Sequence, residues 1–242
     1  MKIQEIGYTA DGVDMVGMLA VDEGRPGKRP GVLVCHEGGG LMDHPRNVAK
    51  RLAGLGFVAF AMDYYGGGKP LADMGQAMTF IGAWMADPTG IRARATAALE
   101  VLKAQPQTDP GRLAAIGYCF GGTTALELAR GGADLKAVVG FHSGLGTARP
   151  QDAANIKGRV LAAIGADDPI IPPEQRIAFE QEMTAAKVDW RMHVYGGTGH
   201  SFTNPDIGRL GRAGFEYHPV SDQRSWSAML DLFDETLAAP VG

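Results

Sequence analysis

The sequence predicts an α/β fold: a mostly parallel central sheet with helices on both faces and antiparallel strands at the N-terminal end. Three observations carry this. Short β-rich runs alternate with longer stretches of helical period, the pattern of strands joined by crossover helices. Glycine is abundant, 35 of 242 residues, and its clusters sit at the junctions of those runs, where turns are required. The longest apolar run, Phe57 to Met62, is of strand length and far short of the roughly 18 residues that span a bilayer.

Taken in order, the segments Ile3–Tyr8 and Asp14–Val21 flank an Asp11-Gly12 pair, which favours a tight turn between antiparallel strands. The runs Gly31–Cys35, Phe57–Met62, Leu113–Gly117, Ala137–Phe141, Val160–Ile164 and Trp190–Tyr195 are then expected as the core strands. Between them, Ile91, Ala95, Leu99 and Leu102 share one helical face, as do Trp226, Met229, Leu230, Phe233 and Leu237, so both helices are expected to pack on the core. Met74, Met78, Ile81 and Met85 follow the same spacing on a helix expected over Leu71–Met85. Core packing is the favoured reading of that stripe, and an adaptable substrate wall is the alternative. Pro26-Gly27 and Pro172-Pro173 fall at element junctions and no polar linker divides the chain, so residues 1–242 are expected to form one domain.

Composition excludes several functions. Lysine and arginine total 23 against 27 acidic residues, a net charge of −4, which leaves no basic footprint for nucleic acid or anionic lipid. The opening MKIQEIGYTADG alternates and carries a glutamate where a secretion signal needs an unbroken apolar stretch, so a cytoplasmic protein with no membrane partner is expected. Two cysteines, Cys35 and Cys119, are too few for a disulfide framework, and each calls for an explanation in packing or chemistry.

The most informative segment is Arg112–Arg130, an apolar strand running through Gly117-Tyr118-Cys119-Phe120-Gly121-Gly122 into a helix. This is the strand–turn–helix context of the nucleophile elbow G-x-S-x-G with cysteine in the serine position. The nucleophile of such an elbow sits in a strained turn, and a Cβ two positions away on either side would strike neighbouring backbone. The turn also brings the thiol to a helix N-terminus, which favours thiolate. The competing reading is a buried structural cysteine beside a glycine-rich turn.

An elbow nucleophile calls for an acid and then a histidine, each after a later strand. The strand Val160–Ile164 runs into Gly165-Ala166-Asp167-Asp168-Pro169, and the strand Trp190–Tyr195 runs into Gly196-Gly197-Thr198-Gly199-His200. The order Cys119, Asp168, His200 is nucleophile, acid, base. His193 lies inside a strand and reads as packing or surface; His36, His44 and His142 precede the acid, and His218 follows the loop to the last helix, so His200 is preferred. Asp168 is preferred as the acid, with Asp167 as the alternative and the remaining aspartate free to cap a helix starting near Pro172. A second glycine-rich segment, Cys35-His36-Glu37-Gly38-Gly39-Gly40, ends an earlier strand. In this arrangement it supplies one amide of an oxyanion hole, expected from Gly38, alongside the amide of Phe120. Neither phosphate-loop motif is present, which argues against nucleotide binding.

From about Gly31 to the C-terminal helix, these residues resemble the dienelactone hydrolases, α/β-hydrolase enzymes with a Cys-His-Asp triad and a glutamate beside the nucleophile. The resemblance implies Cys119 as nucleophile, His200 as base and Asp168 as its orienting acid, with the Gly165-x-x-Asp168-x-x-x-Pro172 spacing in support. It also implies that Glu37 contacts the resting thiol and moves away when substrate binds; the plainer reading of Glu37 is an ion-paired surface carboxylate. Dienelactone hydrolases bind the substrate carboxylate through two arginines, one on the helix after the fourth core strand and one four residues past the histidine. Here position 204 is asparagine and Leu71–Met85 holds no arginine or lysine, so the charge-assisted clamp is missing.

The expected function is cysteine-dependent hydrolysis of a small-molecule lactone or carboxylic ester through an acyl-enzyme, by a monomer or homodimer, with no metal or organic cofactor. Its pocket is expected from the excursions Tyr64–Pro88 and Phe202–Pro219, with Tyr64, Tyr65, Met74, Met78, Trp84, Phe202, Phe215 and Tyr217 as the large side chains available to line it. The alternatives are a carboxylesterase or thioesterase for neutral substrates and, less favoured, a binding module on a hydrolase scaffold.

Overall fold

Alternation in the sequence becomes two packed layers around one sheet. In a computed structural model, residues 1–238 are described. Strands β1 (Lys2–Ala10) and β2 (Val13–Val21) form the antiparallel hairpin at one edge. Asp11 and Gly12 both take positive φ (54° and 69°), as a two-residue turn that matches strand twist requires. The remaining strands are β3 (Arg29–Cys35), β4 (Val58–Ala61), β5 (Thr108–Tyr118), β6 (Ala137–Phe141), β7 (Arg159–Gly165) and β8 (Trp190–Tyr195). The order is β1-β2-β4-β3-β5-β6-β7-β8, with β2 antiparallel to β4 and every pairing beyond it parallel.

Each central strand sends alternate residues to opposite faces, as the two-residue repeat of a pleated strand dictates. Leu33, Leu113, Ala115, Val160 and Ala162 join one core with helices α3 (Thr89–Lys103), α4 (Phe120–Arg130) and α5 (Pro173–Ala185). Val32, Val34, Ala114, Ile116 and Leu161 join the other with α1 (Asp43–Leu55) and α6 (Pro219–Leu237). The faces expected for α3 and α6 are the buried ones, except that Leu230 is only partly buried.

The stripe Met74, Met78, Ile81 and Met85 meets the core only in its second half, where Ile81 and Met85 are partly buried against it. Helix α2 (Met74–Ala86) buries Ala77 and Trp84, while Met74 and Met78 are 53% and 61% exposed. The helix rests on the fold through its aromatic residues, because Trp84 is large enough to span the gap to Tyr64 and Phe120. Cys35 is wholly buried with its sulfur 3.4 Å from that of Met62, a packing role as expected of one cysteine. Among the described residues no helix is long and apolar enough to cross a membrane.

The chain leaves β3 toward β4 on one side and returns to β5 on the other. Such a reversal opens a crevice at the carboxyl ends of the two strands, the place where open α/β sheets bind ligands. Because Cys35 pairs with Gly117, the Glu37–Gly40 loop and the Cys119 turn emerge side by side there.

Candidate active site

Cys119 occupies the turn between β5 and α4 with φ 55° and ψ −122°, a conformation that side-chain-bearing residues avoid. Its backbone is fixed on both sides. The amide donates to Phe141 O at 3.0 Å and to His142 Nδ1 at 3.1 Å, and the carbonyl accepts from Gly122 N–H at 3.1 Å. The glycines are there for space: a Cβ on Gly117 would overlap the Gly121 carbonyl, and one on Gly121 would overlap the Cys35 carbonyl. Phe120 is the first residue of α4, so its amide is one of the helix-initial donors without an intrahelical acceptor. The thiol side chain is half-buried.

His200 follows β8 and is positioned by its amide, which donates to Gly214 O at 2.7 Å. Its Nδ1 lies 2.7 Å from Asp168 Oδ2, and Asp168 Oδ1 accepts the amides of Ile170 and Ile171 at 2.8 and 3.3 Å. Asp167 is exposed and its amide donates to Thr198 O, so the geometry pairs His200 with Asp168. It is Asp168, too, that receives the amides leading toward α5. Nε2 of His200 is buried with no hydrogen-bond partner. Burial pushes this imidazole's pKa down, but the Asp168 hydrogen bond and the neighbouring Cys119 sulfur outweigh it and carry the pKa up to about 9.

The loop after β3 turns its carbonyls away from the crevice. Tyr64 OH donates to His36 O (2.7 Å) and Glu37 O (3.2 Å), and Tyr65 OH donates to Gly38 O (2.9 Å). Among the described residues the Gly38 amide has no acceptor. Ile81 lies over it: a Cβ on Gly38 would come within 3.0 Å of the Ile81 Cδ1. Behind this loop Trp84 stacks on Tyr65, Phe80 and Phe120 with centroids 5.5–5.9 Å apart.

Glu37 differs from what the resemblance implies. Among the described residues it makes no hydrogen bond to Cys119. Instead, Oε1 is 2.5 Å from His44 Nδ1 and accepts from Asn204 Nδ2 at 3.2 Å, while Oε2 is buried without a partner. It is ion-paired, as its plainer reading has it, but buried rather than on the surface. Burial would raise its carboxyl, and the His44 charge reverses this and holds it below the usual range. Burial lowers His44 in turn, and Glu37 more than compensates, so that imidazole is raised.

Sequence reasoning set aside two histidines that the structure brings to the site, His44 on α1 and His142 after β6. No motif marks either one: His44 meets Glu37 seven residues upstream across the turn into α1, and the partners of His142 lie 23 and 61 residues away. His193 is exposed, and His218 caps α6 by accepting Ser221 N–H. Of the side chains expected to line a pocket, Tyr64 and Phe202 are wholly buried and Tyr217 is exposed, donating to Asp222. The charged neighbour of the site is a cavity of about 430 Å³ whose lining includes His44, Arg46, Lys69, Asn204 and Arg209. Among the described residues no group of three or more His, Cys, Asp or Glu side chains is placed to hold a metal ion.

Comparisons with known proteins agree with this architecture. The solved structure of m3DLH superposes with a TM-score of 0.95 at 48% identity, covering 98% of this chain and 99% of that one. A dienelactone hydrolase-like promiscuous phosphotriesterase, P91, from metagenomic libraries superposes at 0.93 with 42% identity, covering 98% and 99%. Protein usf of Aquifex pyrophilus is 29% identical over 240 residues, 97% of this chain and 99% of its own. The model of the dienelactone hydrolase family matches residues 15–237, and with that span the chain belongs to the dienelactone hydrolase family, a hydrolase on the α/β-hydrolase fold.

Proposed function

We propose that the protein hydrolyses uncharged small-molecule lactones or carboxylic esters with Cys119 as nucleophile. The observation that carries this is the free Nε2 of His200: its other nitrogen is fixed by Asp168, and the sulfur beside it stands on a strained, rigidly held turn. His200 Nε2 takes the thiol proton as sulfur attacks the carbonyl carbon. The amides of Gly38 and Phe120 donate to the oxyanion. Collapse of the tetrahedral intermediate breaks the ester C–O bond, and His200 returns the proton to the leaving alkoxide. Water then attacks the thioester with its proton going to His200, and the acid and free thiol are released.

Two observations support an uncharged substrate. Helix α2 carries no arginine or lysine, and position 204, four residues past His200, is an asparagine whose amide donates to Glu37. The neutral preference also supports a second reading, hydrolysis of neutral phosphotriesters by the same thiol, since P91, 42% identical, is described as a promiscuous phosphotriesterase. A cytoplasmic monomer or homodimer acting on a diffusible substrate fits both readings.

The test is a panel of initial rates for wild-type and Cys119→Ala protein on a neutral lactone, an aryl ester, an aryl dialkyl phosphate and an anionic dienelactone of similar size. Faster turnover of the neutral carboxylic compounds, lost by about 10³-fold or more in Cys119→Ala, is expected. Undiminished rates in Cys119→Ala would refute the thiol mechanism. Preference for the anionic compound would refute the neutral pocket and point to Lys69 or Arg209 as its cation.

A further inference from the structure

Thiol chemistry occupies His200 and leaves a second buried imidazole without a task. His142 stands at the carboxyl end of β6, the strand paired with β5, with φ 42° and no exposed surface. Its amide donates to Ala163 O on β7 at 2.8 Å, which fixes the residue to the sheet. Its ring reaches under the elbow. Nδ1 lies 3.1 Å from the Cys119 amide and Nε2 lies 2.8 Å from Thr203 Oγ1.

These partners dictate the protonation state. A backbone amide only donates, so Nδ1 must present its lone pair, and the ring proton is left on Nε2, where it donates to Thr203 Oγ1. Burial and the charges of His200 and His44 act in the same direction, pushing the His142 pKa well below the ordinary value. The ring sits edge-on to His200, with centroids 5.2 Å apart, and also meets Phe202 and Tyr118. Thr203 belongs to the segment that carries His200 and Asn204, so one neutral ring joins the nucleophile turn to the segment of the base.

We propose, resting on the thiol reading above, that His142 is the positioning residue of this site: a permanently neutral imidazole that holds the Cys119 amide and, through Thr203, keeps the sulfur in register with His200. Two consequences follow. With Phe141 O and His142 Nδ1 both on the Cys119 amide, that amide is turned from the substrate, and oxyanion donation falls to Phe120 and Gly38. A second cation is also kept from a place 5.2 Å from His200, so of these two rings only His200 becomes imidazolium, where it delivers a proton to the leaving group.

The variants separate acceptor from bulk. His142→Leu removes the acceptor and is expected to lower kcat by about 10- to 100-fold with KM held within about twofold. His142→Asn, whose Oδ1 takes the place of Nδ1 and which tolerates positive φ, is expected to recover most of that loss. His142→Gln, which reaches toward Thr203 but not toward the Cys119 amide, is not. Wild-type kcat in His142→Leu, or equal damage in Asn and Gln, would overturn the assignment; the Asn–Gln comparison decides it if the Leu variant fails to fold. Nitrogen chemical shifts of ¹⁵N-histidine-labelled resting protein give a readout independent of turnover. A bare Nδ1 and a protonated Nε2 on His142 from about pH 6 to about pH 8 are expected, and a doubly protonated ring there would refute neutrality. Since this is read without substrate, full activity in Cys119→Ala would sink the thiol reading while the ring's state still stood or fell by itself.

Discussion

Two carboxylate–imidazole pairs flank the same crevice and leave opposite partners with a free atom. Asp168–His200 and Glu37–His44 are both buried and short, at 2.7 and 2.5 Å. The difference lies in what each pair leaves over. In the first, Asp168 has both oxygens satisfied and the imidazole keeps one free nitrogen. In the second, the carboxylate keeps the free atom, Oε2, while its imidazole packs edge-on against Tyr118 at 4.6 Å. An unpartnered imidazole nitrogen beside a thiol is a base, whereas an unpartnered carboxylate oxygen with its charge already matched is a fixed counter-charge. On the proposed mechanism, pairing alone therefore does not mark the base; the unused valence does.

The largest effect expected from breaking this comparison is on rate. His200→Gln should lower kcat by about 10³-fold or more on a neutral aryl ester, and His44→Gln by about tenfold at most. Equal losses would mean that both pairs move protons.

The second effect is on stability and is the reverse in rank. His44→Leu leaves the Glu37 charge buried and unmatched, which should cost about 3–5 kcal/mol, and adding Glu37→Gln should restore most of it. Thermal melts of the single and double variants check this. A double variant no more stable than His44→Leu would show that the pair is not the source of the loss.

The smallest effect separates the pairs by pH. The Glu37 carboxyl is lowered from 4.5, so its contribution is present above 4.5 and fades as pH falls through its lower folded value. His44 is raised from 6.5, so its contribution is complete below 6.5 and fades as pH rises through its higher folded value. The stability gap between wild type and His44→Leu should thus be widest between 4.5 and 6.5 and narrow on the alkaline side. For the other pair, His200 must be neutral to take the thiol proton, so kcat/KM should rise as pH rises through about 9, and Asp168→Asn should move that limb to lower pH. A limb unmoved by Asp168→Asn would show that another group sets it.

How much of this was legible in the sequence follows the same division. The strands and the elbow were, because period-two alternation and the space demands of Gly117 and Gly121 are local. The choice of Asp168 over Asp167 was open in sequence, since adjacent aspartates point to opposite sides and only the fold shows which side meets His200. Met74 and Met78 misled because helical spacing shows that a face is apolar and not that something covers it. His44 and His142 were invisible as site residues: Glu37 meets His44 only through the way the chain turns from β3 into α1, and the His142 partners Cys119 and Thr203 are gathered by sheet order, not by spacing.

The most direct test of the central claim is mass spectrometry of the intact protein, acid-quenched during turnover of a neutral aryl ester. The account predicts a mass increase equal to one acyl group, mapped to Cys119 and absent from Cys119→Ala. Steady turnover with no acylated protein, or acylation at another residue, would contradict it.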